Sequence, residues 1–133
     1  MYTIECLDPI KTPLVNKFYN HHRVKGRANK QDQIWVTYFN WQIVAACRLQ
    51  NKSEFLFLST VYVAPAHRGK GVAKALLSTL LKTVNKQVYT FSYKHLVDLY
   101  YFIGFNEVLT YTPALQVLFD VYQHRNIVAL EYH

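Results

Sequence analysis

The sequence contains few cysteines, glycines, prolines or acidic residues. Its 133 residues include two cysteines, four glycines and four prolines. Cys6 and Cys47 lie in separate apolar, strand-like segments without a CxxC pair, so the sequence gives no indication of a disulfide framework or a zinc knuckle. Both are expected to be small buried hydrophobic residues, and no metal cofactor is predicted.

Long apolar runs are also missing. No segment approaches the roughly 20 apolar residues that span a bilayer, and the N-terminus lacks the pattern of a signal peptide. No membrane partner and a cytoplasmic location are therefore expected by default. Hydrophobic residues make up 51% of the chain, enough for a sizeable core, and its length suits one domain over residues 1–133.

Acidic residues are outnumbered by basic ones. Fifteen Lys and Arg against eight Asp and Glu give a net charge of +7, which favours anionic ligands over cationic ones. Part of this charge is concentrated between residues 17 and 30, where no acidic residue occurs; the next one along the chain is Asp32. Two interpretations stay open for this segment: a solvated basic loop, or a surface that attracts an anionic ligand or acceptor.

Hydrophobic periodicity predicts alternating strands and helices along the chain. A hairpin is predicted to turn at Asn40-Trp41, and Trp41 either folds back onto the sheet or marks a contact surface. Thr12-Pro13 and Thr112-Pro113 each combine an N-cap residue with a proline that starts a helix. Strands are predicted at 2–7, 34–49 (two strands), 54–63, 87–93, 106–111 and 127–133, and helices at 12–22, 69–84, 95–104 and 113–125.

Because hairpins flank one central β-α-β unit, the predicted fold is an α/β protein of the α+β type with three layers. Its mixed, mostly antiparallel central sheet is expected to be splayed at its centre and to carry helices on both faces. The helix at 113–125 is expected either to wall an acceptor pocket or simply to pack on the sheet.

The segment VYVAPAHRGKGVAKALL, residues 61–77, has the features of an anion site. Pro65 cannot continue a central strand, so the sheet is expected to end or splay near it. Gly69 and Gly71 allow backbone amides to approach a bulky anion at the N-terminus of the following helix. Neither the P-loop nor the dinucleotide fingerprint fits the spacing.

This segment resembles motif A of the GNAT superfamily of N-acetyltransferases. The family pattern V-x-V-x-P followed by [QR]-x-x-G-x-[GA] is met by Val61, Val63, Pro65, Arg68, Gly71 and Ala73. A second family pattern, Y-x-x-x-G-F, is met by residues 100–105. Together with the hairpin at 34–49, the resemblance covers roughly residues 31–108.

The resemblance implies acetyl-CoA as cosubstrate. Backbone groups of Val61, Tyr62 and Val63 would pair with the pantetheine arm, and the Val63 N–H would donate to the thioester carbonyl. The diphosphate would be held by the residues of the glycine loop and the first turn of the helix, namely Arg68, Gly69, Lys70, Gly71, Val72, Ala73 and Lys74. Ser92 is expected to replace the asparagine that family members often carry after the next strand.

The same resemblance implies that Tyr100 protonates the departing thiolate, although a packing role for this tyrosine stays open. Tyr101 is expected to be structural. The glutamate that serves many family members as general base is absent, because residues 55–60 read FLFLST and Glu54 lies too far from the reaction centre. His95 is the preferred substitute, with His21 and His22 as weaker candidates; a water chain or an already neutral amine are alternatives.

The sequence therefore predicts an N-acetyltransferase that moves an acetyl group from acetyl-CoA to a primary amine of a small molecule or peptide by direct attack. The alternative is a CoA-binding module that regulates a partner without turnover. A nucleic-acid-binding module would rest only on the basic cluster, so no nucleic acid partner is expected. The protein is expected to be a monomer or a homodimer.

Overall fold

The computed structural model describes residues 1–133 and contains a seven-stranded sheet with four α-helices. The strands are β1 (Tyr2–Cys6), β2 (Gln33–Phe39), β3 (Gln42–Asn51), β4 (Leu56–Val63), β5 (Val88–Tyr93), β6 (Asn106–Glu107) and β7 (Ile127–Tyr132). The helices are α1 (Thr12–His21), α2 (Val72–Leu81), α3 (Val97–Ile103) and α4 (Pro113–Tyr122). None of these helices is both long and apolar enough to cross a membrane.

The sheet has the order β1-β2-β3-β4-β5-β7-β6. Every neighbouring pair is antiparallel except β4 and β5, which run parallel and are connected through α2. The predicted mixed, mostly antiparallel sheet is therefore confirmed. The late strand β7 lies between β5 and the short β6, so that the C-terminus of the chain pairs along the full length of β5.

Helices cover both faces of the sheet, as predicted. Successive strand residues point to opposite faces, and the core clusters divide accordingly. Leu58 and Val88 pack with α2 and Tyr100 of α3, whereas Phe57 and Tyr89 pack with Leu115 of α4. Helix α1 lies on the same face as α4. Its core cluster includes Val36 of β2 and Ala46 of β3. The residues beside them in these strands point to the other face and belong to the α2 cluster, namely Trp35, Ala45 and Cys47.

Two predicted local features are present in the structure. The Thr112 hydroxyl accepts a hydrogen bond from the Leu115 N–H at 3.2 Å and caps α4. Asn40 and Trp41 both have positive φ, +50° and +68°, as a two-residue type I′ turn requires. The Trp41 side chain is 98% exposed, so the interpretation that it folds back onto the sheet is wrong.

Three other expectations are corrected. Helix α2 begins at Val72 rather than Gly69, because Gly69 and Gly71 both adopt positive φ and form a loop ahead of it. The strand predicted at 106–111 is limited to Asn106–Glu107. Cys47 is buried as expected, and burial raises the pKa of its thiol, but Cys6 is exposed.

Candidate active site

The centre of the sheet opens between β4 and β5. Their parallel pairing ends at Leu58 and Thr90, where the Thr90 hydroxyl donates to the Leu58 carbonyl at 2.9 Å. Beyond this point β4 continues on β3 as far as Val63, while β5 continues on β7 as far as Tyr93. The splay therefore begins well before Pro65, so this proline does not cause it.

A β-bulge on β4 marks the start of the opening. Arg48 pairs with Ser59 and Ala46 pairs with Tyr62, which leaves one extra residue on β4 between them. Thr60 lies in this bulge with φ +54°, a strained conformation for a β-branched residue. The Tyr19 hydroxyl of α1 donates to the Thr60 carbonyl at 2.8 Å and holds the bulge in place.

Replacing Tyr19 by phenylalanine is expected to lower the free energy of unfolding by about 1–3 kcal/mol, because the strained Thr60 carbonyl loses its partner. Tyr19 is 1% exposed, so little water is available to replace the hydroxyl. The measurement is chemical denaturation, with Tyr101→Phe at an exposed position as the control. Equal stability of the two variants would show that Tyr19 does not stabilise the bulge.

Backbone groups of β4 are available on the open side of the strand. The Ala64 N–H donates to the Val44 carbonyl on β3, so by the alternation of antiparallel pairing Tyr62 also directs its backbone groups to β3. The N–H and C=O of Val63, and by the same alternation those of Val61, point toward the opening. Of the three residues predicted to pair with a pantetheine arm, Val61 and Val63 thus have suitable backbone groups and Tyr62 does not.

The opening forms part of a cavity of about 820 Å³. Three of the residues predicted for the site line it, namely Val61, Ser92 and Tyr100. Ser92 is buried, and its hydroxyl donates to the Tyr93 carbonyl at 2.9 Å.

The glycine loop ahead of α2 has the form expected of a diphosphate site. Gly69 and Gly71 have φ of +75° and +76°, and a Cβ added to either would meet no atom within 4 Å. The first amides of α2, at Val72, Ala73 and Lys74, have no acceptor within the helix, and no side chain caps it. Unpaired amides beside open space at the positive end of a helix fit an anion.

The basic side chains of this segment differ in their placement. The Arg68 Nε donates to the Val63 carbonyl at 2.9 Å, and its guanidinium lies 5.1 Å from the centre of the Tyr62 ring. Arg68 therefore lies along β4 instead of over the amides of the loop. Lys70 is exposed beside the loop, and the Lys74 ammonium lies 3.9 Å from the centre of the exposed Phe102 ring.

Tyr100 is the buried tyrosine of the second motif. It is 7% exposed, lines the cavity and packs edge-on against Phe105. Burial raises the pKa of Tyr100 to about 12, with a hydrogen bond to Thr90 acting in the opposite direction. Tyr101, its neighbour, was expected to be structural, but it is 43% exposed and does not line the cavity.

The predicted histidine candidates lie outside the cavity. His95 is exposed and stacks on Tyr93 with ring centres 6.0 Å apart. His22 packs between Phe18 and Tyr62, and its pKa is lowered by burial and by the nearby His21 and Arg68. None of these three histidines lines the cavity with Tyr100, and Glu54 is exposed ahead of the start of β4.

Several polar residues of the cavity were missed by the sequence predictions. Arg48 and Gln50 of β3 point into it, and the Arg48 guanidinium forms an ion pair with Asp32 at 2.7 Å. The Gln50 side-chain amide donates to the Ser59 hydroxyl at 2.7 Å. The available signal was the alternation of polar residues within an otherwise apolar strand. The other polar lining residues that were missed are Lys25, Thr60, Tyr122, His124 and Arg125.

A comparison with known protein families identifies the family of this chain. A sequence profile described as "Acetyltransferase (GNAT) domain" matches residues 7–113. The chain belongs to the GNAT family. This match confirms the predicted family and the predicted enzyme class, an acyltransferase that uses acetyl-CoA. A search of curated protein sequences gave no match for this GNAT chain.

Solved structures with the same fold include several GNAT proteins. ElaA of Escherichia coli is 17% identical, with a TM-score of 0.71 and all of each chain covered. YncA of Salmonella typhimurium, solved with acetyl-CoA, is 16% identical, with a TM-score of 0.69 and 100% and 94% of the two chains covered. Naa50 of Arabidopsis thaliana, solved with a bisubstrate analogue, is 18% identical, with a TM-score of 0.66 and 99% and 98% covered. At these identities the likeness establishes the fold.

Proposed function

We propose that this protein is an N-acetyltransferase that moves an acetyl group from acetyl-CoA to a primary amine by direct attack. The observation that carries the proposal is the cavity at the β4–β5 opening, which is lined by Val61 of β4 and by the buried Tyr100, while the chain continues from the end of β4 into the glycine loop. The cytoplasmic location and the monomeric or dimeric state remain predictions.

The residues of the glycine loop fit the cosubstrate. Amides at the start of α2 would hold the diphosphate, with Lys70 and Lys74 adding positive charge. Backbone groups of Val61 and Val63 would pair with the pantetheine arm, provided that the Arg68 side chain leaves the Val63 carbonyl. The thioester supplies an acetyl carbon that is already activated for attack. The Val63 N–H is placed to donate to the carbonyl oxygen as it gains negative charge.

The amine must reach the cavity without its extra proton. No Asp or Glu lines the cavity, so no carboxylate is available there as a base. Lys25 and Arg125 instead lower the pKa of an amine that enters, because nearby positive charges disfavour the ammonium form. The electrostatics of the site therefore favour the neutral amine. When its nitrogen has bonded to the acetyl carbon and the C–S bond has broken, one proton leaves the nitrogen for water and the other stays in the amide.

Tyr100 acts on the departing sulfur. With a pKa raised to about 12, it is a weaker acid than a thiol, whose ordinary pKa is about 8.5, so complete proton transfer in the ground state is unfavourable. A hydrogen bond from the hydroxyl to the developing thiolate does not have this cost. Burial also raises the pKa of a thiol that forms beside Tyr100, so the difference between the two pKa values becomes smaller.

The pH dependence should reflect these two groups. We expect kcat/KM to rise with pH as the amine loses its proton, with no decline between pH 7 and 10 from Tyr100. The acid form of Tyr100 is the active one, and raising its pKa from 10 to about 12 moves the loss of that form to higher pH. A pH–rate profile tests this; a decline near pH 9.5 that disappears in Tyr100→Phe would contradict it.

A thiol-release assay with acetyl-CoA and a panel of primary amines tests the function, with acetyl-CoA alone as the control for hydrolysis. Amine-dependent release with an acetylated product supports the proposal. The absence of a carboxylate in the cavity favours one other function, a CoA-binding regulatory module. Binding of acetyl-CoA by calorimetry without thiol release for any amine would favour that module and reject the enzyme.

A further inference from the structure

We infer that the acceptor amine belongs to a molecule that also carries an anionic group, a carboxylate or a phosphate, held by Lys25 and Arg125. This inference rests on the proposed function and names the class of its second substrate. It is drawn from the charged residues that line the cavity and from the face of the sheet on which the polar lining residues lie.

The two faces of the sheet separate the two substrates. The glycine loop leads into α2, which packs with Leu58 and Val88 on one face, so the cosubstrate approaches from that face. The opposite face is the one on which Phe57 packs against α4. Paired residues of neighbouring strands share a face, and so do alternate residues of one strand. Because Gln50 pairs with Phe57 and Arg48 pairs with Ser59, this face also carries Arg48, Gln50 and Ser59. The acceptor therefore enters between α4 and the loop that follows α1.

The entrance on this face carries positive charge that is not neutralised. The charged residues that line the cavity are Lys25, Arg48 and Arg125, and no carboxylate lines it. Arg48 is paired with Asp32 at 2.7 Å, and both side chains are nearly buried, so that pair is structural. Lys25 and Arg125 take part in no ion pair, although they come from segments about 100 residues apart that the fold brings to the same cavity.

The backbone beside Lys25 and the side chain of Arg125 are positioned by contacts with the rest of the fold. Gly26, next to Lys25, lies so close to the bulge that a Cβ there would be 3.2 Å from the Thr60 hydroxyl. The Arg125 guanidinium lies 5.1 Å from the centre of the Tyr122 ring, and Tyr122 packs against Phe57 and Phe91 of the central strands. An anionic group on the acceptor would meet both cations while its amine reaches toward β4.

Electrostatics also excludes the opposite class of acceptor. A diamine that enters would bring a second positive charge between Lys25 and Arg125, where repulsion adds to the cost of removing water from it. An anionic group is instead attracted by the two cations. The basic segment at 17–30, left open by the sequence, thereby contributes Lys25 to the acceptor side of the cavity.

The test compares amines that differ at one end only. The first set is β-alanine, propylamine and 1,3-diaminopropane, which carry a carboxylate, a methyl group and a second ammonium, respectively, at the end away from the reacting amine. The second set is O-phosphoethanolamine and ethanolamine, which differ by a phosphate group. Dipeptides with Glu, Gln or Lys in the second position form the third set. They show whether the preferred acceptor is a peptide or a small molecule. In the thiol-release assay, we expect the anionic member of at least one set to exceed its neutral counterpart in kcat/KM by about tenfold.

Charge-removing variants identify the residues responsible. Lys25→Gln and Arg125→Gln should each reduce the preference for the anionic member, mainly through KM, and the double variant should remove it. Lys52→Gln is the matched control, because Lys52 is exposed and does not line the cavity. Added salt should weaken the preference in the unmodified protein.

The outcomes separate this inference from the proposed function. Turnover with amines but equal kcat/KM for anionic and neutral members would overturn the inference and leave the enzyme intact. A preference that Lys25→Gln and Arg125→Gln leave unchanged would also overturn it. Binding of acetyl-CoA with no turnover for any amine would instead reject the proposed function on which the inference rests.

Discussion

Replacing Tyr100 by phenylalanine is expected to lower kcat about 10²–10³-fold while the affinity for acetyl-CoA changes little. The substitution removes one hydroxyl from a ring that is 7% exposed and packed on Phe105, so the shape of the cavity is preserved. The hydroxyl contributes only when negative charge develops on the leaving sulfur. The loss should therefore appear in kcat, measured by thiol release, and not in a Kd measured by calorimetry.

Tyr101→Phe is the matched control, because it removes the same group one position along the helix at an exposed site. It should retain full activity. Acetylation by Tyr100→Phe at the normal rate would show that the tyrosine packs in the core and has no part in the reaction. A parallel loss of acetyl-CoA binding would show that it holds the cosubstrate instead of assisting the leaving group.

The fold was largely predictable because its elements carry strong local signals. Helical periodicity located α1 and α4, and Thr112 caps α4 as predicted, whereas Thr12 lies inside α1 and makes no capping hydrogen bond. Helix α4 ends at Tyr122, ahead of a short 3-10 turn at 123–125 and of Asn126, which is left-handed at φ +56°. The continuous apolar run at 54–63 predicted the strand β4, which lies at the centre of the sheet with Phe57 and Leu58 buried. These signals act over a few residues, so no information from the rest of the chain was needed.

The composition of the cavity was not predictable in the same way. Lys25, Arg48 and Arg125 lie in three separate parts of the sequence and meet only because β7 returns to pair with β5 and α4 lies across the opening. No local pattern encodes that return. The bulge at Thr60 is equally non-local, since its strained backbone depends on Tyr19 from α1.

The position of the opening illustrates the same limit. Pro65 lacks an N–H, and this predicted that the sheet ends or splays near it; β4 does end at Val63, two residues before the proline. In the structure, pairing with β5 has already ended at Leu58, because β4 bulges at Thr60 while β5 follows β7. The glycine loop was located correctly for a local reason, since positive φ at Gly69 and Gly71 is a property of the residues themselves.

Substituting Gly71 is expected to weaken acetyl-CoA binding at least tenfold, equivalent to about 1.4 kcal/mol. A side chain at this position projects into open space beside the first amides of α2, where the diphosphate would lie. Two variants separate this effect from backbone strain. Alanine is disfavoured at φ +76° and should also cost about 1–2 kcal/mol in the free energy of unfolding, whereas asparagine tolerates this conformation and should cost less.

Calorimetry with acetyl-CoA and chemical denaturation of both variants provide the measurements. If the space in front of the loop is the diphosphate site, Gly71→Asn binds weakly although its stability is close to that of the unmodified protein. If only the backbone conformation matters, Gly71→Asn binds normally and Gly71→Ala alone is impaired. Normal binding by both variants would show that the diphosphate lies elsewhere. A Cβ at Gly71 meets no protein atom within 4 Å, so a diphosphate bound in front of the loop is the group that it would obstruct.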